Sequence, residues 1–239
     1  MNQSKFRFFL LLGIPLILFS TACKRDNVKF SQEFLNKKGS ISLVWSANST
    51  NGSVYQEGSQ GLLDIAVTQL ATASLFAKIR NIVVNPYVDD FYLKKFGNEF
   101  GKRQFNAKLV QLPLDSDSLQ KSSSNEKKMF WIDFREFKSK YGAEYVLYLD
   151  IPKFGISREY FSFIPTSAPK GKSMIDIYLI NTTDNLIESE YHDIRSIDVQ
   201  GEWDTPPEYS PVKDAAITSL KSSLEAAFVT LFAVEEIQK

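Results

Sequence analysis

The chain has 239 residues with 28 Lys and Arg against 28 Asp and Glu; Lys5 and Arg7 are the only charges before residue 23, so the rest carries 26 basic and 28 acidic residues. That balance leaves no basic surplus for nucleic acid. One cysteine and one histidine exclude a disulfide scaffold and any multi-histidine site, and the length fits one domain with a sizeable core.

The first residues run from basic Lys5 and Arg7 through apolar Phe8–Phe19 to small Ser20, Thr21 and Ala22, directly before Cys23. This order is that of a signal peptide, and about a dozen apolar positions fall short of the roughly 20 that span a bilayer. Ala22–Cys23 resembles the lipobox of bacterial lipoproteins, although that pattern favours leucine where Ser20 stands. The resemblance implies cleavage before Cys23, a lipid on its sulfur and an exported domain. It also implies the outer membrane, because Lys24 stands where an aspartate would hold the protein at the inner one. Acylation would leave no free thiol in an oxidising compartment.

Residues 24–38 are polar with scattered apolar positions and read as a tether, so the fold is expected from Gly39. Ile41–Trp45 predicts a strand, and the Ser, Asn and Gly of Ser46–Gly58 predict a loop. Ser59 offers a helix cap. Leu62, Leu63, Ala66, Leu70, Ala73, Phe76 and Ala77 then recur at helical spacing and predict a core-facing helix to Ile79. Pro86 with Asp89 and Asp90 starts another, with Leu93, Phe96 and Phe100 on one face.

Ala107–Leu112 predicts a strand, and the polar run Asp115–Lys128 an exposed loop. Phe130, Phe134, Phe137 and Tyr141 step by four, three and four, a helical spacing that Gly142 ends. Tyr145–Ile151 is an almost unbroken apolar strand, expected to be central and buried on both faces. Strands follow at Arg158–Ile164 and Ser173–Ile180, the latter returning through Thr182–Asn185 to Leu186–Tyr191 as a hairpin. Val212, Ala215, Ala216, Leu220, Leu224, Phe228 and Leu231 predict a long C-terminal helix over Pro211–Glu236. Helices between early strands and hairpins among late ones predict a mixed α/β fold: a partly antiparallel sheet flanked by helices and closed by that last helix. The expected organisation is a signal peptide over 1–22, a lipidated tether over 23–38 and a single domain over 39–239.

The stretches YVLYLDIPKFG (Tyr145–Gly155) and SMIDIYLINTTDNLIESEY (Ser173–Tyr191), with a closing helix ending in LFAVE, resemble envelope lipoproteins of the TolB-N-terminal and curli-secretion class. The likeness covers about two thirds of the chain after Cys23, in the order of patterns. It implies a scaffold or binding partner rather than an enzyme. A pore subunit of the curli type also needs amphipathic membrane hairpins, and the most insertion-like segment, Asp115–Lys128, lacks the alternation a barrel strand requires.

His192 is the one histidine, so any Ser-His-Asp or metal site must include it. Glu188, Glu190 and His192 alternate along a strand, as metal ligands or as a solvated outer face. Asp150, near the end of the expected central strand, occupies a place where α/β sites gather, or bonds the following turn. No phosphate-cradling loop, nucleophile elbow or His-Glu-x-x-His helix is present. The expectation is therefore a protein without catalytic residues, cofactor or metal. Tyr160, Phe161 and Phe163, followed by Ile164 and Pro165, cannot all face one core from one strand; they form the candidate interface, with Trp203–Tyr209 as a candidate rim. Together these readings describe an outer-membrane-anchored periplasmic domain that serves an envelope complex as a non-enzymatic docking subunit. Its partners would be the membrane, through Cys23, and an envelope protein, with self-association left open. A self-assembling secretion channel and a cell-wall hydrolase are the rivals.

Overall fold

The computed structural model describes residues 27–47, 50–110, 120–122, 128–203 and 209–233. Cys23, the signal peptide over 1–22, most of Asp115–Lys128 and residues 204–208 lie outside them. The described residues form the expected mixed α/β fold around one sheet, in the order β3-β1-β4-β6-β7. Its strands are β1 (Ser40–Ala47), β2 (Ser53–Ser59), β3 (Asn106–Leu109), β4 (Tyr145–Phe161), β5 (Ile164–Pro165), β6 (Lys170–Asn181) and β7 (Ile187–Asp198). β1 lies parallel to β3 and β4, whereas β4, β6 and β7 are antiparallel neighbours. β2 runs parallel to the far half of β4, from Ser53 opposite Gly155 to Ser59 opposite Phe161.

β4 is long because its apolar run does not stop at Ile151. A bulge between Asp150 and Lys153 inserts a residue and inverts the alternation. Leu147 and Leu149 before it, Ile151 within it, and Phe154 and Ile156 after it therefore join the same core. That core is closed by α7 (Ser210–Leu231), which buries Val212, Ala215, Ala216, Leu220, Leu224 and Leu231 as the sequence predicts, with Ala227 buried in addition and Phe228 only partly buried. Gly171 lets the helix come close: a Cβ there would lie 2.0 Å from the Ala215 carbonyl oxygen. The opposite face of the sheet carries a second cluster, in which Phe130, Ile132, Phe134 and Phe137 cover Val44, Val146, Tyr148, Tyr178 and Ile180.

Four expectations are corrected. Much of the expected tether belongs to the fold: α1 (Gln32–Asn36) is capped by Ser31, and Phe30, Phe34 and Leu35 are buried against Phe100, Phe105, Tyr145 and Phe232. Three large apolar side chains in a polar stretch are enough to dock it. The loop expected over Ser46–Gly58 contains β2, held by the far half of β4 rather than by its own composition. Residues 128–135 are not helical; only α6 (Glu136–Tyr141) is, ended by Gly142 at φ +66°. The helix over residues 85–102 is α4 (Asn85–Tyr87), a π-helix over Val88–Phe96 and α5 (Gly97–Lys102), and it buries Val88, Tyr92, Phe96 and Phe100 at steps of four.

The predicted core helix after Ser59 is also different. It consists of α2 (Leu62–Ala71) and α3 (Ala73–Arg80), set at 76° to one another. Among its buried residues are Thr68, Leu75 and Ile79, and none of Leu62, Leu63, Ala66, Leu70, Ala73, Phe76 and Ala77 is buried.

Candidate functional site

Strand register assembles the titratable side chains. Ser46 on β1 lies opposite Asp150 on β4, Asp150 opposite Asp176 on β6, and Asp176 opposite His192 on β7. These four positions form a polar row across the sheet where the second aromatic cluster ends. Ser46 Oγ donates to Asp150 Oδ1 at 2.7 Å and lies 2.5 Å from the Tyr148 hydroxyl. His192 Nδ1 is 2.7 Å from Asp176 Oδ1, and its Nε2 is 3.4 Å from Glu190 Oε2.

Burial holds the Asp150 carboxyl above the usual carboxylate range, helped by the Asp176 charge and opposed by the Ser46 hydroxyl. The Asp176 hydrogen bond holds His192 above its ordinary value despite partial burial. Burial likewise pushes the Tyr148 hydroxyl up. Two carboxylates facing each other on adjacent strands repel, and the row answers with a partner on each side: a hydroxyl for Asp150, an imidazole for Asp176. Ser46 and His192 stand three strand spacings apart, about 14 Å, so they do not form a nucleophile and base. Glu188, expected beside Glu190, instead accepts from the Asn181 side-chain amide at 3.0 Å. Among the described residues no group of three His, Cys, Asp or Glu is placed to hold a metal.

The second site is apolar and lies at the far end of β4. Tyr160 is only 5% exposed and turns inward, so it leaves the candidate interface; Phe161 is 68% and Phe163 57% exposed. One strand cannot bury consecutive side chains on the same side. The tip of the β4–β5 hairpin is fastened to the start of α2. Ser162, in a left-handed conformation at φ +56°, donates from its backbone to the Ser59 carbonyl at 2.9 Å and from its hydroxyl to Asp64 Oδ1 at 2.8 Å. Asp64 Oδ2 accepts the Gly61 N–H at 2.9 Å, so the helix start lies two residues past the expected Ser59 cap. Gln60 Nε2 donates to the Ser162 carbonyl at 2.8 Å and to Thr68 Oγ1 at 3.3 Å, while the Thr68 hydroxyl donates to the Asp64 carbonyl at 2.7 Å.

The polarity of α2 is thus reversed. Asp64 and Thr68 face the protein, and Leu62, Leu63 and Leu70 stand outward at 88%, 84% and 80% exposure. With exposed Val67, Phe161, Phe163 and Ile164, the helix and hairpin tip bring seven large apolar side chains to the surface, whereas exposed apolar residues are ordinarily scattered singly. Sequence spacing found the apolar side of α2 but gave it the wrong direction. The signal for direction was present: Asp64 and Thr68 lie four residues apart and mark a polar side that has partners waiting.

No protein-family model matches the chain, and no curated protein matches its sequence. Several solved structures share the general arrangement. Protein XCC0632 of Xanthomonas campestris, of the family DUF330, is 11% identical with a TM-score of 0.41, over 85% of this chain and 90% of that one. A hypothetical protein of Chlamydia trachomatis, CT253, is 9% identical with a TM-score of 0.39, over 83% and 100%. The lipoprotein GNA1162 of Neisseria meningitidis is 11% identical with a TM-score of 0.29, over 77% and 99%. At these scores the likeness is one of remote architecture, and neither an activity nor a location follows from it.

Proposed function

We propose that the chain is a non-enzymatic lipoprotein of the bacterial envelope, tethered at Cys23, whose docking surface is formed by α2 and the tip of the β4–β5 hairpin. One observation carries this reading: a helix whose Asp64 and Thr68 are bonded inward and whose leucines stand in solvent, joined to a hairpin that exposes two phenylalanines. Exposing such a surface to water has no structural purpose in a free monomer, and covering it with another apolar surface is favourable. The lipobox-like sequence supports the location, and the side chains of the polar row are paired with one another.

The test is crosslinking of the full-length lipoprotein in cells through a photoreactive side chain at position 63. Adducts with envelope components, lost on Phe161→Ala/Phe163→Ala with the lipoprotein level unchanged, are the expected result. An adduct pattern that the variant leaves intact contradicts the assignment of the surface.

A further inference from the structure

We infer that the surface formed by α2 and the hairpin tip docks on the acyl region of a lipid bilayer, giving the protein a second membrane contact beside the lipid on Cys23. The inference rests on the reading of this surface as a docking surface, and it names the occupant.

Three features of the surface select lipid. The first is residue type. Its large exposed apolar side chains are Leu62, Leu63, Val67, Leu70, Phe161, Phe163 and Ile164; they include no Trp or Tyr, and Gln69 is the exposed polar residue of α2. Protein interfaces take their binding energy mainly from Trp, Tyr and Arg, and leucine and valine are under-represented there. The second is satisfaction of polar groups. A protein partner offers hydrogen bonds, whereas hydrocarbon offers none, so a surface that enters it must satisfy its own donors and acceptors. Here the Asp64 carboxylate is shared between the Gly61 N–H and the Ser162 hydroxyl. The Gln60 amide and the Thr68 and Thr72 hydroxyls bond within the same segment.

The third is charge. Asp64 is the one charged residue from Gly61 to Ala77, and Lys78 and Arg80 follow at the end of α3. Basic residues beside an apolar face add attraction to anionic headgroups to the burial of that face at a bilayer surface. The α2–α3 pair is apolar enough for a membrane by composition but is bent by 76°, and α2 alone, at ten residues, is about half the length that spans a bilayer. The segment therefore lies in the interface rather than crossing it.

The geometry of the anchor then fixes the posture of the domain. Asn27 Oδ1 accepts the His192 N–H at 2.8 Å, so the chain meets the sheet beside the polar row. The level of Phe161 lies about 33 Å farther along the strands at 3.3 Å per residue. Four residues from Cys23 reach at most about 14 Å. Taken along the strands alone, that difference is closed when the strands lie within about 25° of the bilayer plane.

The test uses the chain from Lys24 to Lys239, which keeps every described residue and lacks the acylated cysteine. It is floated with vesicles of phosphatidylethanolamine and phosphatidylglycerol. The expected result is flotation that persists in high salt, because apolar insertion rather than charge drives it. The variant Leu63→Ser/Leu70→Ser/Phe163→Ser is expected to lose about tenfold or more of its partitioning with an unchanged circular dichroism spectrum. Ile194→Ser, an exposed apolar residue on β7, serves as the control and leaves flotation intact. A wild-type chain that stays with the soluble fraction overturns the inference, as does a triple variant that floats as well as the control. If the chain does not float while position 63 crosslinks to an envelope protein or to a second copy, the lipid assignment fails and the docking surface stands. If neither occurs, both fail.

Discussion

α7 and α2 carry the same message in sequence and opposite ones in structure. Each repeats apolar residues at three to four residue intervals, yet α7 buries Val212, Leu220, Leu224 and Leu231, whereas Leu62, Leu63 and Leu70 of α2 stand in solvent. Helical spacing identifies an apolar side. The direction of that side depends on what the polar side finds. In α7 Ser219 and Ser223 lie within the buried face and are accommodated singly, by the Ala216 carbonyl at 2.8 Å and by Ser173 at 3.0 Å. In α2 the inward partners are Ser162 and Gln60, so the polar side turns in and the leucines turn out.

The contrast breaks most sharply under truncation. Leu224→Ala is expected to cost about 2–5 kcal/mol in urea unfolding, because it opens a cavity between α7 and the sheet. A loss below about 1 kcal/mol would mean that α7 does not close this core. Gly171→Ala addresses the same contact from the strand side. Its Cβ would meet the Ala215 backbone, and overpacking of that kind is expected to cost about 1–3 kcal/mol. The unfolding midpoint of that variant checks it, and an unchanged midpoint would show that α7 can move aside.

A smaller effect belongs to the polar row. His192 is held above its ordinary value of 6.5 first by the Asp176 hydrogen bond, so the folded protein binds this proton more tightly than the unfolded chain does. Its contribution is fully present below the unfolded value and is lost as pH rises through the higher folded value. Asp150, raised by burial, has the same sign in the acidic range. Stability is therefore expected to fall as pH rises from about 6 to 8, by less than about 1 kcal/mol once solvent screening of the partly exposed imidazole is counted, and the thermal midpoint falls with it. In His192→Gln that slope should flatten. A midpoint that rises over this range would contradict the pairing.

What was legible in the sequence follows from where the deciding contacts are. β1, the β6–β7 hairpin and α7 depend on local pattern and were read correctly. β2 was not, because Ser53–Ser59 is held by a stretch of β4 that begins 102 residues later, at Gly155. The segment before α6 carries two periods at once. Phe130, Phe134, Phe137 and Tyr141 fit a helix, while Phe130, Ile132 and Phe134 alternate and are all buried, the period of an extended chain. Covering the sheet decided for the second. The candidate interface was half legible: the crowding of Tyr160 and Phe161 required one ring to face outward. Their union with α2 was not legible, because it passes through Ser162 and its bond to Asp64, 98 residues away.

The central claim is that the leucines of α2 belong to a contact surface and not to the core. Equilibrium urea unfolding of Leu62→Ser/Leu63→Ser/Leu70→Ser, measured beside the unaltered domain, tests it most directly. Surface substitutions of this kind change stability by about ±0.5 kcal/mol each, so a midpoint near that of the unaltered chain, with the same slope, is the predicted result. A loss of several kcal/mol, comparable with that of Leu224→Ala, would place these leucines inside the core and remove the docking surface.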